Sequence, residues 1–298
     1  MSEGGQPPPA RLYSLVGVMI LLWALNFIVA KIALREFPPL LAGSLRFVLA
    51  AAVVVPAYLW NRRTRIGPKH DFHARLRLLM LGCGGVGLNQ MFFILGINST
   101  SVAHASLLLT LTPVWVLTMS AIAGHEQFTL RKLGGLAIAA SGVGLLQAAP
   151  GKAASAASPL GDLFILLSSI TFAVFIVAGK SATQRFGSLT VNTYAFTGSS
   201  LVISSLVAWR YSAFAYAAVS ATAWMSVVYM AIFPSLVCYL IFYYALAHMP
   251  ATRISYFSYL QPLVATALAA PLLGEPLTAS LAGGGLLIVC GVFLAERG

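Results

Sequence analysis

Long apolar runs follow one another along almost the entire chain, and each could cross a lipid bilayer as a helix. A crossing needs about 20 apolar residues. Ten runs meet this requirement, at 12–34, 40–60, 76–97, 101–123, 130–149, 160–180, 189–209, 222–247, 251–273 and 278–295. Only 8% of the residues are charged, whereas a soluble domain carries about 25%. The sequence therefore predicts an all-α membrane protein with ten transmembrane helices.

Basic residues are distributed unevenly between the two sides of this arrangement. With the amino terminus in the cytoplasm, 13 Lys and Arg residues lie on the cytoplasmic side and 4 outside, while Arg46 lies inside the second span. Such an excess marks the cytoplasmic side of a membrane protein. We therefore expect a multi-pass protein of the bacterial inner membrane with both termini in the cytoplasm. The net charge of +11 then reflects orientation, and no nucleic-acid partner is predicted.

The two halves of the chain are related by an internal repeat. Residues 96–145 align without gaps on residues 245–294, at an offset of 149. Identical positions include Pro113 and Pro262, Glu126 and Glu275, Gly135 and Gly284, and Gly142 and Gly291. Each half holds five spans, and because five is odd, the second half must be inverted relative to the first. Inverted repeats build secondary transporters whose substrate site lies between the halves; the alternative is a duplicated membrane anchor without transport.

The sequence resembles the drug/metabolite transporter superfamily, in its ten-helix branch of two EamA-type repeats. The resemblance is carried by Trp23-Ala-Leu-Asn26-Phe27, Leu45-Arg46-Phe47, Ser106 to Pro113, Glu126, Gly274-Glu275 and the glycine-rich spans five and ten. Within this branch the chain is most similar overall to bacterial exporters of aromatic and other amino acids. It departs from the family in span seven, where Tyr194-Ala195-Phe196 stands in place of a second Arg-Phe pair.

The resemblance implies a basket of ten helices around a central cavity that opens alternately to each side. It also implies that spans five and ten pack together at one edge. We expect a cytoplasmic tail at 1–10, a first EamA-type repeat at 11–149, a linker at 150–158 and a second, inverted repeat at 159–298. A single copy of the chain should be sufficient for function.

Polar side chains at mid-membrane depth are the first candidates for substrate contact. Trp23 and Asn26 lie three residues apart on one helix face, and Asn89 and Gln90 are adjacent amides in an apolar helix, with Phe93 one turn away. An amide in hydrocarbon needs a partner, so it faces protein or a cavity. These side chains either contact substrate or form hydrogen bonds between helices.

Spans eight and nine carry the most aromatic and hydroxyl-rich part of the predicted core. Tyr239, Tyr243, Ser255, Tyr259 and Gln261 belong to this cluster. Tyrosine offers a large apolar face together with a hydroxyl group, which suits an amphipathic ligand. We expect the cluster to contribute to the substrate site.

Several further polar residues have more than one interpretation. Ser106 and Thr110 in span four are candidate substrate contacts. Arg46 could snorkel to the outer face, have a structural partner, or bind a carboxylate. Glu126 and Glu275 precede the next helices and are interpreted as structural braces.

The sequence thus favours an exporter of small zwitterionic metabolites, chiefly amino acids including aromatic ones, that needs no cofactor, metal or obligatory ion coupling. The other candidates within transport are drugs and nucleobases. An intramembrane enzyme would need a nucleophile with a base, or paired acids, at membrane depth, and the two aspartates, Asp71 and Asp162, lie at loops or helix starts. A lipid scramblase is the remaining alternative.

Overall fold

Helices account for most of the computed structural model, which describes residues 8–64, 72–100, 105, 108–147, 158–273 and 279–297. In chain order they are α1 (Pro9–Ala33), α2 (Pro39–Thr64), α3 (Phe72–Ser99), α4 (Thr112–Ile122), α5 (Leu130–Gln147), α6 (Pro159–Phe186), α7 (Ser188–Ala208), α8 (Ala221–His248), α9 (Ala251–Tyr256, Phe257–Tyr259 and Leu260–Leu273) and α10 (Ala279–Glu296). No strand occurs in these described ranges. The predicted all-α class is confirmed.

Five of the described helices are by themselves long and apolar enough to cross a membrane. They span Ala10–Ala33, Pro39–Asn61, Phe72–Ser99, Pro159–Phe186 and Ala221–His248. Two shorter apolar helices, Thr112–Ile122 and Gly283–Ala295, belong to α4 and α10. These elements agree with the order of spans in the sequence.

The helices of the two halves pack in a reciprocal pattern. α1 lies against α8 and α9 of the second half, and α6, its counterpart, lies against α3 and α4 of the first half. The remaining counterparts pair directly, α2 with α7 and α5 with α10. Exchanging the halves therefore reproduces the packing, which is the arrangement of two five-helix repeats. Because each repeat has an odd number of spans, the two are inverted.

Glycines allow α5 and α10 to approach each other closely. A Cβ atom added at Gly142 would lie 2.7 Å from the Gly284 carbonyl oxygen and 2.8 Å from the backbone nitrogen of Ile288. A Cβ added at Gly291 would lie 2.7 Å from the Gly135 carbonyl oxygen. Small residues at such contacts let helix backbones pack directly in a membrane. The edge packing of spans five and ten is as expected.

In two spans the type of helix changes at or near a proline. In α9 a 3-10 turn at Phe257–Tyr259 precedes Pro262, and in α8 a π-helical stretch at Ala231–Val237 contains Pro234. Proline has no backbone N–H, and its ring crowds the carbonyl group four residues earlier. The local change of helix type accommodates both effects.

A π-helical stretch also occurs in α3, at Gly82–Gly87, without any proline. At the repeat offset of 149 it corresponds to the start of the π stretch in α8. Such stretches are rare in helices and are common at functional sites. Asn89 and Gln90 follow the first stretch, and Cys238 and Tyr239 follow the second, so both stretches orient side chains toward the middle of the bundle.

We expect Gly142→Ala to lower the thermal unfolding temperature of the detergent-purified protein. The added methyl group meets backbone atoms of α10, so the two helices must separate, and overpacking of this kind destabilises by about 1–3 kcal/mol. Gly144→Ala, two residues further along α5, is the matched control, because its Cβ has nothing within 4 Å. Equal unfolding temperatures for the two variants would contradict the packing of α5 on α10.

Candidate functional site

A central cavity lies between the two halves of the molecule. The space between its lining residues, counted together with its opening to solvent, is about 580 Å³. Seven of the residues predicted as substrate contacts line it, namely Trp23, Asn26, Asn89, Gln90, Phe93, Tyr239 and Gln261. The other lining residues are Phe27, Arg46, Leu109, Thr112, Ser168, Phe172 and Ser258. Both repeats therefore contribute to one site.

A hydrogen-bond network connects three helices at the cavity wall. The Asn89 amide nitrogen donates to the Ser168 carbonyl and hydroxyl oxygens, both at 2.9 Å, and the Ser168 hydroxyl donates to the Asn89 carbonyl oxygen at 3.0 Å. The Gln90 amide nitrogen donates to the Asn89 side-chain oxygen at 2.8 Å and to the Tyr239 hydroxyl at 3.0 Å. Asn89 thus ties α3 to α6, while Gln90 connects α3 to α8.

Aromatic rings form the apolar part of the wall. The ring centroid of Trp23 lies 5.8 Å from that of Tyr239, 6.1 Å from Phe172 and 5.9 Å from Phe242. The Trp23 indole N–H donates to the Pro234 carbonyl oxygen at 3.1 Å. That carbonyl belongs to the π-helical stretch of α8, so the irregular helix provides the acceptor that fixes the indole.

Arg46 is the cationic group of the cavity. Only 2% of its surface is exposed, and its Nε donates to the Ser235 hydroxyl of α8 at 2.6 Å. Among the described residues no carboxylate lies within ion-pair distance of the guanidinium. Of the three interpretations left open by the sequence, snorkelling to the outer face does not fit, because the side chain is directed into the bundle.

Asn26 presents an acceptor without a partner. Its side chain is 5% exposed, and its Oδ1 accepts no hydrogen bond in the described part of the chain. A buried carbonyl oxygen that forms no hydrogen bond is unfavourable. Because Asn26 lines the cavity, a ligand with a hydrogen-bond donor would satisfy this oxygen.

Four other predicted site residues are not among those that line the cavity, namely Tyr243, Tyr259, Ser255 and Thr110. Tyr243 and Tyr259 are fully buried, and the Ser255 hydroxyl donates to the Thr252 carbonyl oxygen at 2.7 Å. Thr110 is buried as well. Ser106 lies outside the described residues.

Glu126 connects the two halves away from the cavity. It accepts a hydrogen bond from the Thr252 hydroxyl at the start of α9 and forms an ion pair with Lys132 at 3.0 Å. The Thr129 hydroxyl accepts from the Lys132 backbone N–H at 3.2 Å, which caps α5. The arrangement agrees with the structural interpretation of Glu126. Glu275 lies outside the described residues.

Comparison with known proteins identifies the family. The model of the EamA-like transporter family matches residues 11–147 and again residues 159–296, which together make up most of the chain. The chain belongs to the EamA-like transporter family. The two matches also agree with the repeat found in the sequence and with the reciprocal packing of the halves.

Individual relatives of this EamA-like protein include named exporters. It is 30% identical to a probable terminal-alkyne amino-acid exporter of Streptantibioticus cattleyicolor, over 72% of this chain and 71% of the relative. It is 26% identical to a probable amino-acid metabolite efflux pump of Salmonella typhimurium, over 93% and 92%. Other relatives of similar identity are named as uncharacterized transporters. A crystal structure at 21% identity covers 97% of this chain and 98% of its own, with a TM-score of 0.75, which shows the fold.

We expect Asn89→Ala and Gln90→Ala to differ in their effects on stability. Removing the buried Asn89 amide takes away the donor to the Ser168 carbonyl and hydroxyl oxygens and one of the two acceptors of Gln90, which destabilises by about 1–3 kcal/mol. Gln90 is only half-buried, so its removal should leave the unfolding temperature close to that of the wild type. Thermal unfolding in detergent measures the stability of both variants. A Gln90→Ala variant that is the less stable of the two would contradict the structural role of Asn89.

Proposed function

We propose that this EamA-like transporter exports small zwitterionic metabolites, chiefly amino acids including aromatic ones, by alternating access. The supporting observation is the central cavity, in which one buried guanidinium lies with amides and aromatic rings from both repeats. The two relatives named as amino-acid exporters support the same substrate class.

The composition of the cavity favours this substrate over the alternatives. A nucleobase or a neutral drug offers no negative charge to the Arg46 guanidinium, whereas an amino acid offers a carboxylate. An intramembrane enzyme would need a nucleophile paired with a base, or two acids, and the cavity lining contains no acid, histidine or cysteine among the described residues. Membership of a transporter family also argues against catalysis.

The predicted placement in the membrane completes the proposal. The protein lies in the inner membrane with both termini in the cytoplasm, because the basic loops then face the cytoplasm. Residues 1–10 form a tail, 11–149 and 159–298 form the two repeats, and 150–158 link them. We infer that a single chain is the functional unit, because the cavity is enclosed by the helices of one chain.

Transport should not depend on a proton or sodium gradient. An ion-coupled carrier usually contains a carboxylate or histidine at membrane depth. In the described part of the chain, Glu36, Glu126 and Asp162 lie at helix ends or in links between helices, and none lines the cavity. The proposed mechanism is therefore facilitated movement down the substrate gradient.

We expect proteoliposomes preloaded with a mixture of amino acids and nucleobases to release the amino acids without an imposed ion gradient. Tyr239→Ala should slow release severalfold, because Tyr239 contacts Trp23 and Gln90 in the cavity wall. Leu201→Ala, on an exposed surface of α7, serves as the control. Release of nucleobases alone, or release that appears only with a proton or sodium gradient, would refute the proposal.

A further inference from the structure

We propose that the cavity recognises both charged ends of an α-amino acid, with Arg46 binding the carboxylate and the Asn26 side-chain oxygen accepting from the ammonium group. The two side chains belong to α2 and α1, and both line the same cavity. This inference rests on the proposed function and assigns the two ends of its substrate. It would make Arg46 and Asn26 the residues that determine substrate specificity.

The guanidinium of Arg46 is arranged to receive an anion. Its Nε donates to the Ser235 hydroxyl in the π stretch of α8, and this hydroxyl donates at 2.7 Å to the carbonyl oxygen of Met230, the residue before that stretch. In the described part of the chain no other hydrogen bond from the guanidinium occurs. The remaining N–H donors form a planar fork, which matches the two oxygens of a carboxylate. Ser235 fixes the orientation of that fork.

A buried cation without a counter-charge is unfavourable in a membrane protein. Such a group normally pairs with an anion or faces a water-filled space. Here the charge faces the cavity and has no carboxylate from the described residues beside it. A substrate that carries a carboxylate supplies the missing anion. A substrate without a carboxylate would leave the guanidinium without a counter-charge.

The Asn26 side chain supplies the complementary half of the site. Asn26 lines the cavity, and its Oδ1 is buried and has no hydrogen-bond donor among the described residues. An ammonium group offers three N–H donors and no acceptor. A neutral amide oxygen is sufficient to orient an ammonium group whose charge is already balanced by the carboxylate of the same molecule.

The rest of the lining selects the side chain of the substrate. Trp23, Phe172 and Tyr239 provide an aromatic wall, and no second cation lines the cavity in the described part of the chain. Apolar and aromatic side chains should therefore be accepted. A second carboxylate, as in acidic amino acids, would find no partner.

Three ligands of closely similar size test the carboxylate contact and the ammonium contact separately. Phenylalanine carries both charged groups, phenethylamine lacks the carboxylate, and 3-phenylpropionate lacks the ammonium group. Equilibrium binding of each to the purified wild-type protein should favour phenylalanine over both analogues, by about tenfold or more for a hydrogen bond to a charged group.

Substitutions then assign each contact to its residue. Arg46→Gln should abolish the preference for phenylalanine over phenethylamine, and Asn26→Leu should abolish the preference for phenylalanine over 3-phenylpropionate. Arg210→Gln is the control, because Arg210 is exposed beyond the end of α7. If Arg46→Gln fails to fold, as judged by thermal unfolding and gel filtration, the wild-type ligand series alone decides.

The outcomes distinguish this inference from the function on which it rests. If the wild type transports amino acids but binds all three ligands equally, or if both variants keep the wild-type preferences, the two-contact assignment is wrong and the proposed function stands. If wild-type proteoliposomes release no amino acid, the proposed function fails and the assignment fails with it.

Discussion

Lipid cannot form hydrogen bonds, so polar side chains within the spans must find partners inside the protein. In this chain four such side chains at the cavity have their partners across the boundary between the two repeats. Trp23 bonds to Pro234, Arg46 to Ser235, Asn89 to Ser168, and Gln90 to Tyr239. Each bond joins a residue of the first half to one of the second. These hydrogen bonds therefore hold the two halves together, and most of the residues that form them also surround the cavity.

The same principle operates at the two ends of the bundle, where bonds between the halves can act as gates. Beyond the end of α1, the Glu36 carboxylate accepts from the Ser220 hydroxyl at 2.5 Å and from its backbone N–H at 2.6 Å, which lowers the pKa of Glu36. At the opposite end, Glu126 accepts from Thr252. Both contacts are formed here. In the proposed alternating-access mechanism, one of these contacts would open while the other holds.

The apolar runs and the internal repeat predicted the fold well, because both can be recognised from the order of residues alone. Span lengths follow from apolar runs, and the inversion follows from an odd number of spans. The helix irregularities were not predicted. Pro234 and Pro262 were visible as a signal, but the π stretch of α3 depends on packing: a Cβ at Gly82 would meet Ala195, and one at Gly85 would meet Phe175.

Residues that line the cavity could be predicted where their type is unusual at membrane depth. Asn26, Asn89 and Gln90 stand out as amides in apolar helices, and all three line the cavity. Phe172 and Ser168 were missed because phenylalanine and serine are ordinary in membrane helices. A signal for Phe172 was available, since Ile20-Leu21-Leu22 and Phe27 recur 145 residues later as Ile165-Leu166-Leu167 and Phe172. The orientation of Arg46 could not be predicted, since its partner Ser235 is 189 residues away in sequence.

The central claim is that one cavity between the inverted halves serves both sides of the membrane. Its most direct test is a single cysteine at Leu109, which lines the cavity, after replacement of the three native cysteines by alanine. A membrane-impermeant thiol reagent should modify this cysteine from either side, in right-side-out and in inverted vesicles, and phenylalanine should slow both reactions. Modification from one side only, or rates that phenylalanine leaves unchanged, would contradict the account.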